Sequence, residues 1–264
     1  MQKKVNDLVV WTEGNPKKKP IIFIHGFPYD HTMWHNQISA LKNDFYCISY
    51  DLRGLGQSKP GDGQYTMEMH VDDLFSVIKE LKLRKPVVCA LSMGGYITLR
   101  AVERDQSKFK ALVLCDTKSE ADTNMGKLTR ASAIKLINEK GVEKFVVPFV
   151  KNCFSDITLK EKKRRIVYTE TLDKALKTKA VGLKGALLAM AGRTDTSEFL
   201  PKITIPTLLI VGQLDKLTPP NVMKEMSGKI PNSDFGIAPR AGHMAPLENP
   251  GFVTDMIKGF VGQF

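Results

Sequence analysis

Residues 87–97 read Val-Val-Cys-Ala-Leu-Ser-Met-Gly-Gly-Tyr-Ile, and this stretch constrains the fold more than any other. A β-branched run stops, a serine follows, and an apolar helical pattern begins at once. The chain must reverse from strand to helix within a residue or two. That puts Ser92 at a strained apex, with its hydroxyl projecting from the turn. Ala90 and Gly94 keep side chains from colliding across the turn, and Gly95 lets the helix approach the sheet. A buried strand feeding directly into a packed helix predicts an α/β architecture.

A serine displayed in this way needs a general base, and the base needs a carboxylate to hold its tautomer. The chain has five histidines: His25, His31, His35, His70 and His243. With a strand-to-helix serine the order is serine, acid, histidine. Only His243 follows Ser92, in a loop between Gly242 and Pro246. The acid should follow a late strand. The apolar run 207–211 suits a strand buried on both faces, Gly212 ends it, and Asp215 lies just beyond. Asp116, at the end of Ala-Leu-Val-Leu-Cys, is the rival acid; it ranks second and reads as a hinge into the following segment.

Charge that develops on an acyl oxygen calls for preorganised N–H donors. One should be the N–H of Met93, at a helix N-terminus. The strand that ends in His25-Gly26 offers Phe27 as the second. His25 reads as support for this loop, and Asp30 as the N-cap of the next helix.

Strands are predicted near 7–12, 21–25, 45–50, 86–91, 111–115, 206–211 and 233–238. Helices are predicted near 31–42, 67–82, 94–105 and 250–263. Alternation of this kind implies a mostly parallel central sheet flanked by helices. Residues 119–198 lack a strand and show helical patterns near 124–139, 142–147, 158–176 and 178–191, with Gly141 as a stop and Pro148 as a breaker. They read as a helical cap (lid) domain inserted into a core domain of residues 1–118 and 199–264. Within the cap, Phe145, Val146, Phe149, Leu187, Leu188 and Met190 either line a substrate pocket or pack between helices. Phe27, Tyr29 and Met93 have the stronger claim to the pocket, because their backbone belongs to the oxyanion loops.

With Ser92, Asp215, His243 and His25-Gly26 placed, the chain resembles the α/β-hydrolase superfamily nearly end to end. Asp51-Leu-Arg-Gly-Leu-Gly-Gln-Ser58, Gly212-Gln-Leu-Asp215 and the His243 loop ending in Glu248-Asn-Pro250 are similar to its loops. Within it the chain looks nearest the small esterases, enol-lactonases and cofactor-free haloperoxidase-like members. His25-Gly-Phe-Pro28 is shared with haloperoxidase-like and epoxide-hydrolase-like proteins. The latter, like haloalkane dehalogenases, use an aspartate nucleophile, which Ser92 argues against. The resemblance implies a carboxylic ester hydrolase with Ser92, Asp215 and His243 as its triad. Lactonase or perhydrolase chemistry is the first alternative, and a non-enzymatic receptor on the same scaffold the second.

At 264 residues, 42% hydrophobic and 25% charged, the chain is ordinary for a globular protein. No stretch reaches membrane-spanning length and no apolar leader is visible, which predicts a cytoplasmic protein with no membrane partner. Cys47, Cys89, Cys115 and Cys153 are then expected as reduced thiols. His31 and His35 stand four apart but lack the acid of a metalloprotease helix, Gly61-Asp-Gly63 lacks a third glycine, and no phosphate loop exists. Neither a cofactor nor a metal is predicted. The net charge of +11 carries no nucleic-acid motif. The basic run 160–165 reads either as a solvated face or as a guide for an anionic substrate or an acidic carrier protein.

Overall fold

The computed structural model describes residues 1–264. Its strands are β1 (Gln2–Val5), β2 (Leu8–Glu13), β3 (Pro20–Ile24), β4 (Tyr46–Tyr50), β5 (Val87–Leu91), β6 (Ala111–Cys115), β7 (Thr207–Gly212) and β8 (Ser233–Ala238). They form one sheet in the order β1-β2-β4-β3-β5-β6-β7-β8. β2 runs antiparallel to β1 and β4, and all other neighbours are parallel. Every residue of β4, β5, β6 and β7 is buried, as expected for parallel strands covered on both faces.

The helices are α1 (His35–Leu41), α2 (Met67–Glu80), α3 (Met93–Asp105), α4 (Asn124–Lys140), α5 (Val142–Cys153), α6 (Asp156–Lys160), α7 (Lys162–Leu176), α8 (Ala180–Ala191), α9 (Pro220–Lys229), α10 (Ala245–Glu248) and α11 (Pro250–Val261). α1 packs on α11 and α2 on α3. The helices α4 to α8 fall between β6 and β7 and pack on one another. The predicted α/β class, with a mostly parallel sheet flanked by helices, is the one observed. No helix is long and apolar enough to cross a membrane. All four cysteines are buried, unpaired thiols.

Several elements differ from expectation. The polar stretch Gln-Lys-Lys-Val hides a strand: β1 pairs with β2 across a two-residue loop, with Asn6 at φ 53. Asn tolerates that region, and lysines suit an edge strand. Residues 31–42 split into a 3-10 turn (His31–Trp34) and α1, with Asp30 capping the turn through Thr32 N–H at 2.9 Å. His31 therefore lies in the turn, and only His35 stands on α1. The His31 N–H and Nδ1 both meet Asp51 Oδ1, at 2.8 and 2.7 Å, and its ring stacks on Trp11. Pro148 does not break α5. Its ring removes the bond to the Lys144 carbonyl, but Phe145, Val146 and Val150 are buried and carry the helix through. The helix predicted over 158–176 is interrupted at Glu161, which is extended (φ −78, ψ 116). The short α10 was not anticipated.

His70, on α2, is fully buried and neither ring nitrogen has a partner. Burial, helped by the charges of Arg53 and His25, pushes its pKa from 6.5 down to about 3. A folded-state value below the unfolded one means the unfolded chain binds the proton first, so stability falls as pH drops below 6.5. By pH 4.5 this site should cost about 3 kcal/mol. Denaturant unfolding of His70→Phe is expected to show a shallower loss between pH 7 and 4.5 than the native chain. Parallel pH profiles would contradict this.

Candidate active site

The carboxyl ends of the parallel strands gather four loops at one edge of the sheet, where open α/β sheets place their ligands. β5 leads to Ser92, β3 to His25-Gly26-Phe27, β7 to Asp215, and β8 to His243.

Ser92 has φ 52 and ψ −113, a conformation costing roughly 1–3 kcal/mol for a non-glycine residue. Neighbours hold it there. Its N–H donates to Cys115 O (3.0 Å), and its carbonyl accepts from Thr117 Oγ1 (2.8 Å) and Tyr96 N–H (3.2 Å). Gly95 makes this possible, since a β-carbon there would lie 2.3 Å from Thr117 Oγ1. On the other side, a β-carbon at Gly26 would lie 2.7 Å from Leu91 Cδ2 and 3.3 Å from Ser92 Cβ, so the β3 loop rests directly on the turn.

Ser92 Oγ lies 2.9 Å from His243 Nε2, and His243 Nδ1 lies 2.8 Å from Asp215 Oδ2. His243 and Asp215 are both buried. Asp215 Oδ1 accepts from Leu217 N–H (2.8 Å) and Thr218 N–H (3.1 Å). Its Oδ2 also accepts from Thr218 Oγ1 at 2.6 Å. Burial works against its charge, but His243 and the Thr218 hydrogen bonds outweigh it and hold the carboxyl below its usual range. A hydroxyl bonded to an imidazole that is backed by an ionised carboxylate can be deprotonated as it attacks an electrophile.

The rival acid is close but differently employed. Asp116 Oδ1 accepts Gly212 N–H at 2.7 Å, while Oδ2 has no partner. Burial, reinforced by the charge of Asp215, raises its pKa well above the usual carboxylate value. It stitches β6 to the end of β7. His25 is likewise structural. Its Nδ1–H donates to Gly26 O (2.8 Å) and its Nε2 accepts Leu52 N–H (2.9 Å).

The N–H groups of Phe27 and Met93 have no backbone acceptor; Met93 opens α3, where none exists within the helix. Above them lies a cleft of about 260 Å³ lined by Ser92 and His243 together with Phe27, Phe145, Phe149 and Leu187. Phe145 and Phe149 stand four apart on α5, and their rings pack on Phe27 with centroids 6.0 and 5.4 Å away. Met190 also lines the cleft.

Tyr29 does not. Its N–H closes a turn onto Gly26 O, and its side chain is buried and lines a separate cavity. Burial and the neighbouring Cys153 raise its phenol well above the usual value. Val146 is packed in the core, and Leu188 faces solvent. The Met93 side chain is fully buried outside the cleft. The basic run 160–165 also lies outside it. Most of that run is exposed, and Arg164 binds the Arg240 and Glu248 carbonyls.

A family model for the alpha/beta hydrolase fold matches residues 19–146 and 184–250. The chain belongs to the alpha/beta hydrolase fold family. It is similar to a thermophilic esterase from Thermogutta terrifontis, whose structure with malate bound superposes with a TM-score of 0.94 at 31% identity, over 100% of this chain and 98% of that one. It is 28% identical to 3-oxoadipate enol-lactonase 1 of Acinetobacter baylyi, over 96% of this chain and 92% of the relative. It is 26% identical to non-heme chloroperoxidase CPO-A1 of Kitasatospora aureofaciens, over 94% and 93%.

Two supporting residues of this hydrolase escaped the sequence reading. Thr218 braces Asp215, and the Asp-x-x-Thr spacing ahead of Pro219-Pro220 was its available signal. Glu248 ties the His243 loop to the inserted helices. Its Oε1 accepts Gly242 N–H (2.7 Å) and its Oε2 accepts Ser155 N–H (2.9 Å), while His243 N–H donates to Cys153 O (2.9 Å). Glu248→Ala would strand two buried donors at about 1–3 kcal/mol each. Its urea midpoint should fall accordingly, with kcat falling alongside because Gly242 adjoins His243. An unchanged midpoint would refute the assigned role.

Proposed function

We propose that this chain hydrolyses carboxylic esters through an acyl-enzyme on Ser92. The observation that carries the reading is the unbroken relay from Asp215 Oδ2 through His243 to Ser92 Oγ, with links of 2.8 and 2.9 Å, in the cleft that Phe27, Phe145 and Phe149 line. His243 Nε2 takes the Ser92 proton as Oγ attacks the ester carbonyl. The N–H groups of Phe27 and Met93 hold the oxyanion, and Asp215 orients His243 and stabilises its charged form. His243 then protonates the leaving alcohol. Water, deprotonated by His243, attacks the acyl group, and the acid leaves as the proton returns to Ser92.

Residues 119–198 act as a cap on the core of residues 1–118 and 199–264. Phe145, Phe149 and Leu187 close the pocket over Ser92 and exclude water. A volume of about 260 Å³ suits short to medium acyl groups. Lactones follow the same steps, and the enol-lactonase relative supports that variant. Peroxide replacing water would release a peracid, a reading favoured by the chloroperoxidase relative.

A p-nitrophenyl ester series from acetate to laurate tests the proposal, with turnover expected to peak among the shorter chains. Acetate plus peroxide, assayed for peracid, ranks the perhydrolase variant. Tight ligand binding without turnover of any ester or lactone would overturn the hydrolase reading in favour of a receptor.

A further inference from the structure

The lining of the cleft also carries charge, and its charges do not cancel. Of the residues that line the cleft, Lys118, Arg130 and Asp122 carry fixed charge. Asp122, with a side chain only 6% exposed, is already shared between two guanidiniums. Arg130 Nε and Arg193 Nη1 each lie 2.8 Å from it. Arg130 reaches it through Nε alone, so both of its Nη groups remain available. Lys118 makes no ion pair and no hydrogen bond with any group of the protein, although it is half-buried.

The position of Lys118 is fixed by the same contacts that hold Ser92. It leaves the β6 loop one residue after Thr117, whose hydroxyl binds the Ser92 carbonyl. Thr117 and Ser119 on either side are buried, so the stem leaves an anchored backbone. Lys118 is thus a cleft-lining cation with no carboxylate within ion-pair distance. An anionic group entering the cleft would supply its partner, and a charge-assisted hydrogen bond there is stronger than one at the open surface.

Building on the reading that Ser92 turns over esters here, we infer that the preferred substrate carries a carboxylate besides its ester bond. Lys118 holds that carboxylate, with Arg130 beside it, and so selects hemi-esters or acidic lactones over neutral esters. The carboxylate is bound and not consumed, so the hydrolytic steps are unchanged. The guide for an anionic substrate, one of two readings of 160–165, is thus supplied from inside the cleft by other residues.

The test compares kcat/KM for matched anionic and neutral esters. Monomethyl glutarate against methyl pentanoate places the carboxylate on the acyl side. O-acetyl-4-hydroxybenzoate against its methyl ester places it on the alcohol side. In at least one pair the anionic member should be favoured about tenfold or more, and Lys118→Met should erase that ratio. Lys118→Arg should keep part of it, and the remote, exposed Lys229→Met should leave it intact. Ratios near one in both pairs, or ratios indifferent to Lys118→Met, would overturn the inference while leaving ester hydrolysis standing.

Glutarate binding by titration calorimetry needs no turnover and separates the two ideas. If no ester is hydrolysed, or Ser92→Ala hydrolyses as fast as the native chain, the proposed function fails. Glutarate affinity at least tenfold weaker in Lys118→Met would still support the carboxylate site. Equal affinity, or none in either protein, would overturn it.

Discussion

Replacing Ser92 with alanine should lower kcat for p-nitrophenyl butyrate by roughly 10⁵-fold or more, with little change in KM or thermal stability. The hydroxyl is small, and the turn that displays it is held by backbone groups and Thr117, which alanine leaves in place. His243→Ala should cost a similar factor. The double variant should cost little more than either single one, because nucleophile and base act as a unit. Independent, additive losses would mean the two residues do not share a step. More than about 1% residual activity in Ser92→Ala would point to another nucleophile.

Asp215→Asn should lower kcat by roughly 10⁴-fold, while Asp116→Asn should change it by less than about threefold. The hydrogen bonds explain the contrast. Leu217 and Thr218 N–H groups demand an acceptor at the Oδ1 position of residue 215, so an asparagine there must turn its NH₂ toward His243. That donor faces Nδ1 and forces the tautomer with hydrogen on Nε2, which can no longer accept the Ser92 proton. At residue 116 burial already disfavours the charged carboxylate, and its one bond, from Gly212 N–H, is satisfied equally by an amide oxygen. Steady-state kinetics of the two variants, with circular dichroism to check folding, decides the matter. A severe loss in Asp116→Asn with a mild one in Asp215→Asn would reverse the assignment of the acid.

The legible parts of this molecule were those where one local rule acts alone. The strand–Ser92–helix reversal, the order of Asp215 and His243 behind it, and the fully buried runs of β5, β6 and β7 follow from short-range pattern and chain order. The illegible parts depend on contacts between distant segments. Tyr29 stands two residues after Phe27, yet it lines a separate cavity and not the cleft. Pro148 would break an isolated helix, but α5 is held by aromatic packing against Phe27. The basic run 160–165 is legible because its charges are contiguous. Lys118 and Arg130 are not legible as a pair, because they lie far apart in sequence and share one lining only in the folded cleft.

The hydroxyl of Ser92 as the covalent nucleophile is tested most directly by intact-mass and peptide analysis after treatment with a fluorophosphonate ester. One adduct per chain, on Ser92, is predicted. It should be absent from Ser92→Ala and form far more slowly in His243→Ala. Labelling of a different residue, or equal labelling of the native chain and Ser92→Ala, would contradict the account.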